Sequence, residues 1–395
     1  MGCSVASNNN HPPFLLRSHT VSTAQYVHGA GTEGALSSFH TTAMVRTAPD
    51  KYGPTRLRNP RRYHAMCRGV HLVRKCRYLR VLESARTQKH VFGYRESVTT
   101  WRGGELDLDA YLECIGFAGE RVATAPTLTA LHRAHTTSIP FDNLEIMLGR
   151  PIVLDLDTLQ DKLIRRGRGG YCYEHVTLFA AALERLGFRF TALAGRVTLG
   201  AEAKRPRTHA LILVEFDDQR RWLCDVGFGR GPLEPVELIA GNEVDQDGWR
   251  LRLSRAPLGT ATEILHPDEW TLWQRSSVDG TVTWLDRHRF TLDPQYPIDY
   301  DVANHYVSTS PRSPFTTRPF VQRFAADVQH VLDGTDWTTT NPDGSSYTRN
   351  VAISDVPAVL ADTFGIELPA DDAAALVDWM RARLRQLNQR SPTET

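Results

Sequence analysis

Eight residues constrain this chain more than any other stretch: Arg168-Gly169-Gly170-Tyr171-Cys172-Tyr173-Glu174-His175, followed at once by a helical run from Val176 to Leu186 that ends at Gly187. Two adjacent glycines permit a sharp turn where a side chain would obstruct, and they place the cysteine in the first turn of the helix. Unpaired N–H groups and the helix dipole favour an anion there, so the position suits a thiolate, the nucleophilic form of cysteine. Cys172, Val176, Phe179, Leu183 and Leu186 share one helical face, which turns the sulfur toward packed protein. Position alone leaves a second reading open, a small buried hydrophobe, because most cysteines are that.

A nucleophilic thiol needs a base, and the base needs a group to orient it. Both residue types stand on a predicted hairpin. Thr208 to Phe216 reads as a strand, Asp217-Asp218-Gln219-Arg220 as a turn and Arg221 to Val226 as the returning strand. His209 and Asp225 lie on opposite arms. A two-residue turn would set His209 against residue 226, while a three-residue loop or a bulge is expected to bring it level with Asp225. Asp225 interrupts an apolar strand, where a carboxylate requires a charged or donor partner. Singly, each could equally be a satisfied sheet histidine and a strand-end cap; together with Cys172 they point to a Cys–His–Asp arrangement.

Net charge is only +1 over 395 residues, but it is unevenly placed. Residues 1–104 hold 16 Lys+Arg against 4 Asp+Glu, and the remainder holds 30 against 41. The first part has no sustained apolar periodicity and is rich in Ser, Thr, Asn and Gly, so a basic, disordered extension over 1–104 is expected. Arg58 to Arg80 is the most basic run. A nucleic-acid arm is conceivable there, but a solvated tail fits better, and no nucleic-acid partner is expected. His64, Cys67, His71 and Cys76 lack a familiar zinc spacing, so no metal is expected. Six cysteines are too few for a disulfide scaffold, and no stretch reaches the length of a membrane span. Met1-Gly2 lacks the Ser or Thr at position 6 that a myristoylation motif needs, Ala6 standing there instead. A reducing cytoplasm is the expected location, and no membrane partner is expected.

Beyond Leu106 the chain reads as ordered. Helices are expected over 108–115, 127–136 and 157–166, giving a helical domain over 105–190 that carries the nucleophile. Strands are expected at 189–199, 208–216, 221–226, 249–253, 269–275 and 281–290, an antiparallel barrel or sheet within a domain over 191–305. The last domain, 306–395, is mixed: a strand-like run over 320–331, a helix over 354–364 with Gly365 at its end, and a terminal helix over 372–387.

The stretch Arg168 to Glu174 closely resembles the signature of the arylamine N-acetyltransferases, with Tyr173 where that family usually has Phe. The resemblance continues through Ile139-Pro140-Phe141-Asp142-Asn143-Leu144, Arg207-Thr208-His209, Asp225-Val226-Gly227-Phe228-Gly229 and Val302 to Thr309, and spans residues 105–390. It implies an α+β fold: a helical bundle, an antiparallel β-barrel and an α/β lid, with a triad of cysteine-protease type. On that resemblance Cys172 is the acetyl-accepting nucleophile, His209 its base and Asp225 the orienting acid. Phe141, Val197, Thr208 and Phe228 match positions lining the acceptor pocket, and Gly229 and Phe315 match positions beside the cofactor. Arg168 and Asp142 match a supporting ion pair, while His175 and Arg230 are variable points that could tune the acceptor. The implied reaction transfers acetyl from acetyl-CoA to an aromatic amine or hydrazine through an acetyl-cysteine. A macrolactam-forming amide synthase of the same family, a cysteine hydrolase or transglutaminase-like enzyme, and a basic-armed binding protein are the rival readings. The residues do not address the oligomeric state.

Overall fold

The computed structural model describes residues 101–201, 203–256, 269–278 and 281–389, all within one compact unit, Thr87–Thr395. Residues 1–100, with the Arg58 to Arg80 run and the His64 to Cys76 group, lie outside the described residues. Order begins earlier than Leu106. The amides of Trp101 and Gly103 donate to the Glu184 carboxylate at 3.1 and 2.6 Å. The buried Trp101 indole meets Tyr300 edge-on, with ring centroids 5.4 Å apart. Gly103 is required by space: a Cβ there would stand 2.6 Å from the carbonyl oxygen of Ala181.

Helix α1 (Leu108–Cys114) starts at Asp107, whose side chain accepts the Ala110 N–H at 3.1 Å, and α2 (Ala125–Ser138) starts at Thr124 with a proline in its first turn. After the short strand β1 (Phe141–Asp142) and α3 (Leu144–Met147), the expected third helix proves composite. One α turn, α4 (Leu156–Leu159), widens into a π-helical turn over Gln160–Arg165. Two polar residues of that turn face inward: Gln160 accepts the Asp107 N–H at 2.7 Å, and Lys162 pairs with Glu174 at 2.7 Å.

Helix α5 (Cys172–Arg185) is the centre of the fold. The sequence suggests one apolar stripe, yet every residue from Cys172 to Leu183 is buried. Its polar residues Glu174, His175 and Thr177 are enclosed with the apolar ones, and Ala180, Ala181 and Ala182 let neighbours approach its far side. Eight antiparallel strands follow: β2 (Arg189–Val197), β3 (His209–Glu215), β4 (Arg221–Cys224), β5 (Val236–Glu237), β6 (Glu243–Gln246), β7 (Trp249–Ala256), β8 (Glu269–Val278) and β9 (Thr281–Phe290). Their order, β5-β4-β3-β2-β9-β8-β7-β6, curls into a nearly closed barrel. The Gln246 side chain spans its two edges, accepting from Leu233 N at 2.9 Å and donating to Glu234 O at 2.9 Å.

Helix α6 (Pro297–Thr309) was not expected from the sequence. Asp299 reaches back to the Tyr296 N–H at 2.8 Å, but the helix buries only Tyr300, Asn304 and Val307 and exposes Ile298, Val302 and Tyr306, which blurs its periodicity. The C-terminal segment adds β10 (Phe320–Phe324), β11 (Gln329–Asp333), β12 (Asp336–Thr340) and β13 (Ser346–Asn350), then α7 (Val356–Phe364) and α8 (Ala370–Gln389). The expected single strand over 320–331 is thus a hairpin, closed where Ala325 N donates to Val328 O at 2.9 Å. Strand β1 pairs with β10, so the segment carrying Phe141 forms the edge of this second sheet. Gly365 ends α7 with φ of 70°, the left-handed cap expected of it. The architecture is the α+β arrangement of helices, antiparallel barrel and C-terminal α/β segment.

Candidate active site

Cys172 is the first residue of α5, with Tyr171 extended ahead of it. The N–H groups of Cys172 and Tyr173 therefore have no acceptor within the helix. Glu174 secures the start by accepting the Tyr171 N–H at 3.0 Å and binding Lys162 with its other oxygen. This pair is almost wholly enclosed; burial raises the pKa of Glu174, and Lys162 opposes that rise. The two glycines before the helix are needed for space. A Cβ on Gly169 would strike the Pro140 carbonyl and Asp142, and one on Gly170 would stand 2.9 Å from Glu174 Oε2. The Gly170 N–H is committed to Pro140 O at 3.2 Å.

The hairpin turns through a three-residue loop, with Gln219 left-handed at φ 65° and Phe216 paired to Arg220. Its register sets Ile212 opposite Cys224, and β4 ends there. Extended, the register would place His209 opposite residue 227. The three-residue loop therefore does not bring His209 level with Asp225; it puts both on one face, two positions out of step. The chain leaving β4 closes that gap. His209 Nε2 and Asp225 Oδ1 are 2.9 Å apart, both groups buried. Burial alone would lower the pKa of His209, but the Asp225 charge and hydrogen bond, with a smaller contribution from Cys172, push it up to about 9. Burial likewise opposes ionisation of Asp225, and the two imidazoles beside it win, holding its carboxyl well below the usual range. The Cys172 thiol points to the Thr208 carbonyl at 3.6 Å, immediately before His209. Gly227 passes directly over the nucleophile, where a Cβ would stand 2.8 Å from Cys172 Cα.

Two further histidines, not singled out in the sequence, complete this cluster. His288, on β9, faces the second oxygen of Asp225 at 2.8 Å. His132, on α2, accepts the Asp225 backbone N–H at 3.1 Å and donates to Leu233 O at 2.9 Å. Burial lowers the pKa of each to about 4, so both are neutral near pH 7. His209, Asp225 and His288 hold ligand-type atoms within 4.8 Å of one another, and the two carboxylate oxygens are already satisfied by one N–H each. The alternation of buried His288 with buried Phe290 marks the inward face of β9, but no residue nearby in the chain identifies the partner.

The residues expected to line the site fall around this centre. The Phe228 ring stands perpendicular to His209 at 5.2 Å, and Val197 is the cross-strand partner of His288. Phe141 stacks parallel to His175 at 6.4 Å and meets Phe315 at 5.8 Å, while Phe315 also reaches Tyr171 at 5.9 Å. His175 ends a fully buried chain: Tyr111 Oη to His135 Nδ1 at 2.9 Å, His135 Nε2 to His175 Nδ1 at 2.9 Å, and His175 Nε2 to Pro140 O at 3.2 Å. Gly229, with φ of 77°, lies against Phe141 and Gln322, leaving no room for a side chain. Arg230 donates to Gln329 at 3.1 Å, and the Arg287 guanidinium lies 4.0 Å from the Phe228 ring centroid. The expected Arg168–Asp142 ion pair is not formed. Arg168 faces Glu145 at 3.3 Å and Asp372 at 3.6 Å, while Asp142 accepts the Leu144 N–H with Oδ1 at 2.9 Å and its buried Oδ2 has no hydrogen-bond partner among the described residues.

A profile described as N-acetyltransferase matches residues 124–373. The chain is similar to the Escherichia coli arylamine N-acetyltransferase, 32% identical over 276 residues that cover 67% of this chain and 90% of that protein. The Mycolicibacterium smegmatis arylamine N-acetyltransferase is 35% identical over 269 residues, covering 67% and 93%. Among solved structures, the Nocardia farcinica arylamine N-acetyltransferase superimposes with a TM-score of 0.68 at 55% identity, over 73% of this chain and 99% of that one. The Mycobacterium marinum arylamine N-acetyltransferase in complex with CoA gives 0.61 at 31% identity, over 71% and 99%.

Proposed function

The chain belongs to the arylamine N-acetyltransferase family, and on that premise we propose that Cys172 carries the acetyl group between two half-reactions, with His209 and Asp225 as its base and orienting acid. The supporting observation is the convergence at the start of α5: a thiol on the helix N-terminus, an imidazole raised to about 9 and a carboxylate fixing that imidazole. An imidazolium beside a thiol favours the thiolate, as a helix N-terminus does.

In the first half-reaction Cys172 Sγ attacks the thioester carbonyl of acetyl-CoA. The new S–C bond forms, the bond to the CoA sulfur breaks, and the departing thiolate takes a proton from His209. In the second, the amine nitrogen attacks the acetyl-cysteine carbonyl, the N–C bond forms as the C–Sγ bond breaks to return the Cys172 thiolate, and neutral His209 accepts the proton that the nitrogen loses. With Nε2 held by Asp225, Nδ1 is the nitrogen that serves both transfers. The N–H groups of Cys172 and Tyr173, or those of the facing strand, are the candidate donors to the oxyanion, whereas that of Gly170 is committed to Pro140. Phe141, Val197, Thr208 and Phe228 would form the acceptor pocket. A flat, apolar wall of this kind suits an aromatic amine or arylhydrazine and keeps water from the acetyl-cysteine. Phe315, packed between Phe141 and Tyr171, together with Gly229, would border the path of acetyl-CoA.

The test is direct. Incubation with acetyl-CoA alone should release CoA once per chain and leave an acetyl group on Cys172, found by peptide mass spectrometry. Double-reciprocal plots against acetyl-CoA at several concentrations of an arylamine should be parallel. Acetyl on Cys114 or Cys224 with Cys172 bare, or intersecting lines with no acetyl-enzyme, would refute the reading.

A further inference from the structure

Asp225 has two carboxylate oxygens, and each accepts one imidazole N–H: Oδ1 from His209 at 2.9 Å, Oδ2 from His288 at 2.8 Å. We propose that His288 is a positioning residue, which pins Asp225 so that its other oxygen holds His209 in the orientation needed for transfer. The inference rests on the reading of Asp225 given above.

Three observations carry it. The His288 ring is wholly buried, yet among the described residues its side chain bonds only to Asp225, and Nδ1 has no partner there. A histidine kept to satisfy the sheet would be expected to spend both nitrogens on its surroundings. Next, a carboxylate held at one oxygen can rotate and exchange its oxygens, whereas donors on both sides fix its plane. Helix α2 fixes the backbone of the same residue through His132, so Asp225 is held at main chain and side chain from two separate elements. Finally, the rings share one wall: His288 lies 5.0 Å from His209 and 5.8 Å from Phe228, between centroids.

The titratable and charged groups near His288 are Asp225 on the chain after β4, His209 on β3 and Arg287 on its own strand. Its cross-strand partners, Val197 on β2 and Leu272 on β8, are apolar. In this setting His288 is a neutral imidazole that donates from Nε2.

His288→Phe keeps a ring and removes the donor; His288→Gln restores an N–H. With 4-methoxyaniline as acceptor, His288→Phe should lower the rate of acetyl transfer by about 10- to 100-fold, the scale on which supporting hydrogen bonds act, with KM for acetyl-CoA changed less than about threefold. His288→Gln should recover most of that loss. In an Asp225→Asn background, His288→Phe should cost nothing further, because the two act as a unit. A full-rate His288→Phe enzyme alongside an inactive Asp225→Asn enzyme would overturn this inference and leave the triad standing. An active Asp225→Asn enzyme would remove the triad itself. If His288→Phe does not fold, histidine NMR on the native chain decides. The His288 ring should hold one neutral Nε2–H tautomer from about pH 5.5 to 9, and a ring that titrates in that range overturns the proposal.

Discussion

Replacing Asp225 by Asn tests how the site is charged. Asn preserves shape and an acceptor for His209 but removes the negative charge that opposes the effect of burial. His209 moves from an ordinary 6.5 to about 9 in the fold, a difference of roughly 3 kcal/mol at 1.36 kcal/mol per unit. The depression of Asp225 is the same interaction seen from its other end and is counted once. Without the charge, burial should carry His209 below 6.5, so the ring changes from largely imidazolium to largely neutral at pH 7. The folded pKa is the raised one, so the associated stability is complete below the unfolded value near 6.5 and is lost as pH rises through about 9. Urea unfolding of native and Asp225→Asn proteins should therefore differ most near pH 6, with the gap narrowing by up to roughly 3 kcal/mol towards pH 10. Histidine-selective NMR should show the His209 midpoint fall from about 9 to below 6.5. Acetyl transfer should drop by about four powers of ten, the loss expected when a triad histidine loses its orienting acid. An unmoved midpoint, or activity within tenfold of native, would refute the reasoning.

Three other perturbations follow from the packing. Lys162→Met leaves Glu174 buried without its ion-pair partner and should cost about 3–5 kcal/mol in urea unfolding; a loss under 1 kcal/mol would mean that Glu174 takes up a proton or finds water. Gly227→Ala places a methyl 2.8 Å from Cys172 Cα and should reduce acetyl-enzyme formation more than it lowers the melting temperature; an unaltered rate would show that the loop yields freely. A chain beginning just before Trp101 should melt with the full-length protein and acetylate at its rate. One beginning at Leu106 should melt lower, having lost an indole burial of about 1.5–3 kcal/mol and both bonds to Glu184.

Most of what could be read from the sequence came from local rules. The glycine pair and the polarity change at Cys172 fix where α5 begins, and Gly365 fixes where α7 ends, because those signals act within a single turn. The site was legible where a residue's type was anomalous for its surroundings, as with Asp225 in an apolar strand. It was not legible where meaning depends on a distant partner. His288 and His132 lie 63 and 93 residues from Asp225 in the chain, and nothing near either announces the contact. The register of the hairpin depended on Gln219 adopting a left-handed conformation, which gave a three-residue loop. Helix α6 escaped notice because its exposed face is as apolar as its buried one. The Arg168–Asp142 expectation failed for a related reason: Arg168 pairs with Glu145 and with Asp372, a residue 204 positions further along the chain.

The clamp at Glu184 ties the entry of the described chain to the helix that carries the nucleophile. Glu184 lies one position before the last residue of α5 and Cys172 at its first, so they are separated by a rod of about 18 Å that is packed on all sides through most of its length. At the far end of that rod, two amide–carboxylate bonds and the Trp101 indole hold the incoming chain. The same indole leads through Tyr300 to Tyr173, 5.3 Å further on and adjacent to Cys172, so loosening Trp101 should be felt at the sulfur as well as in the melting temperature.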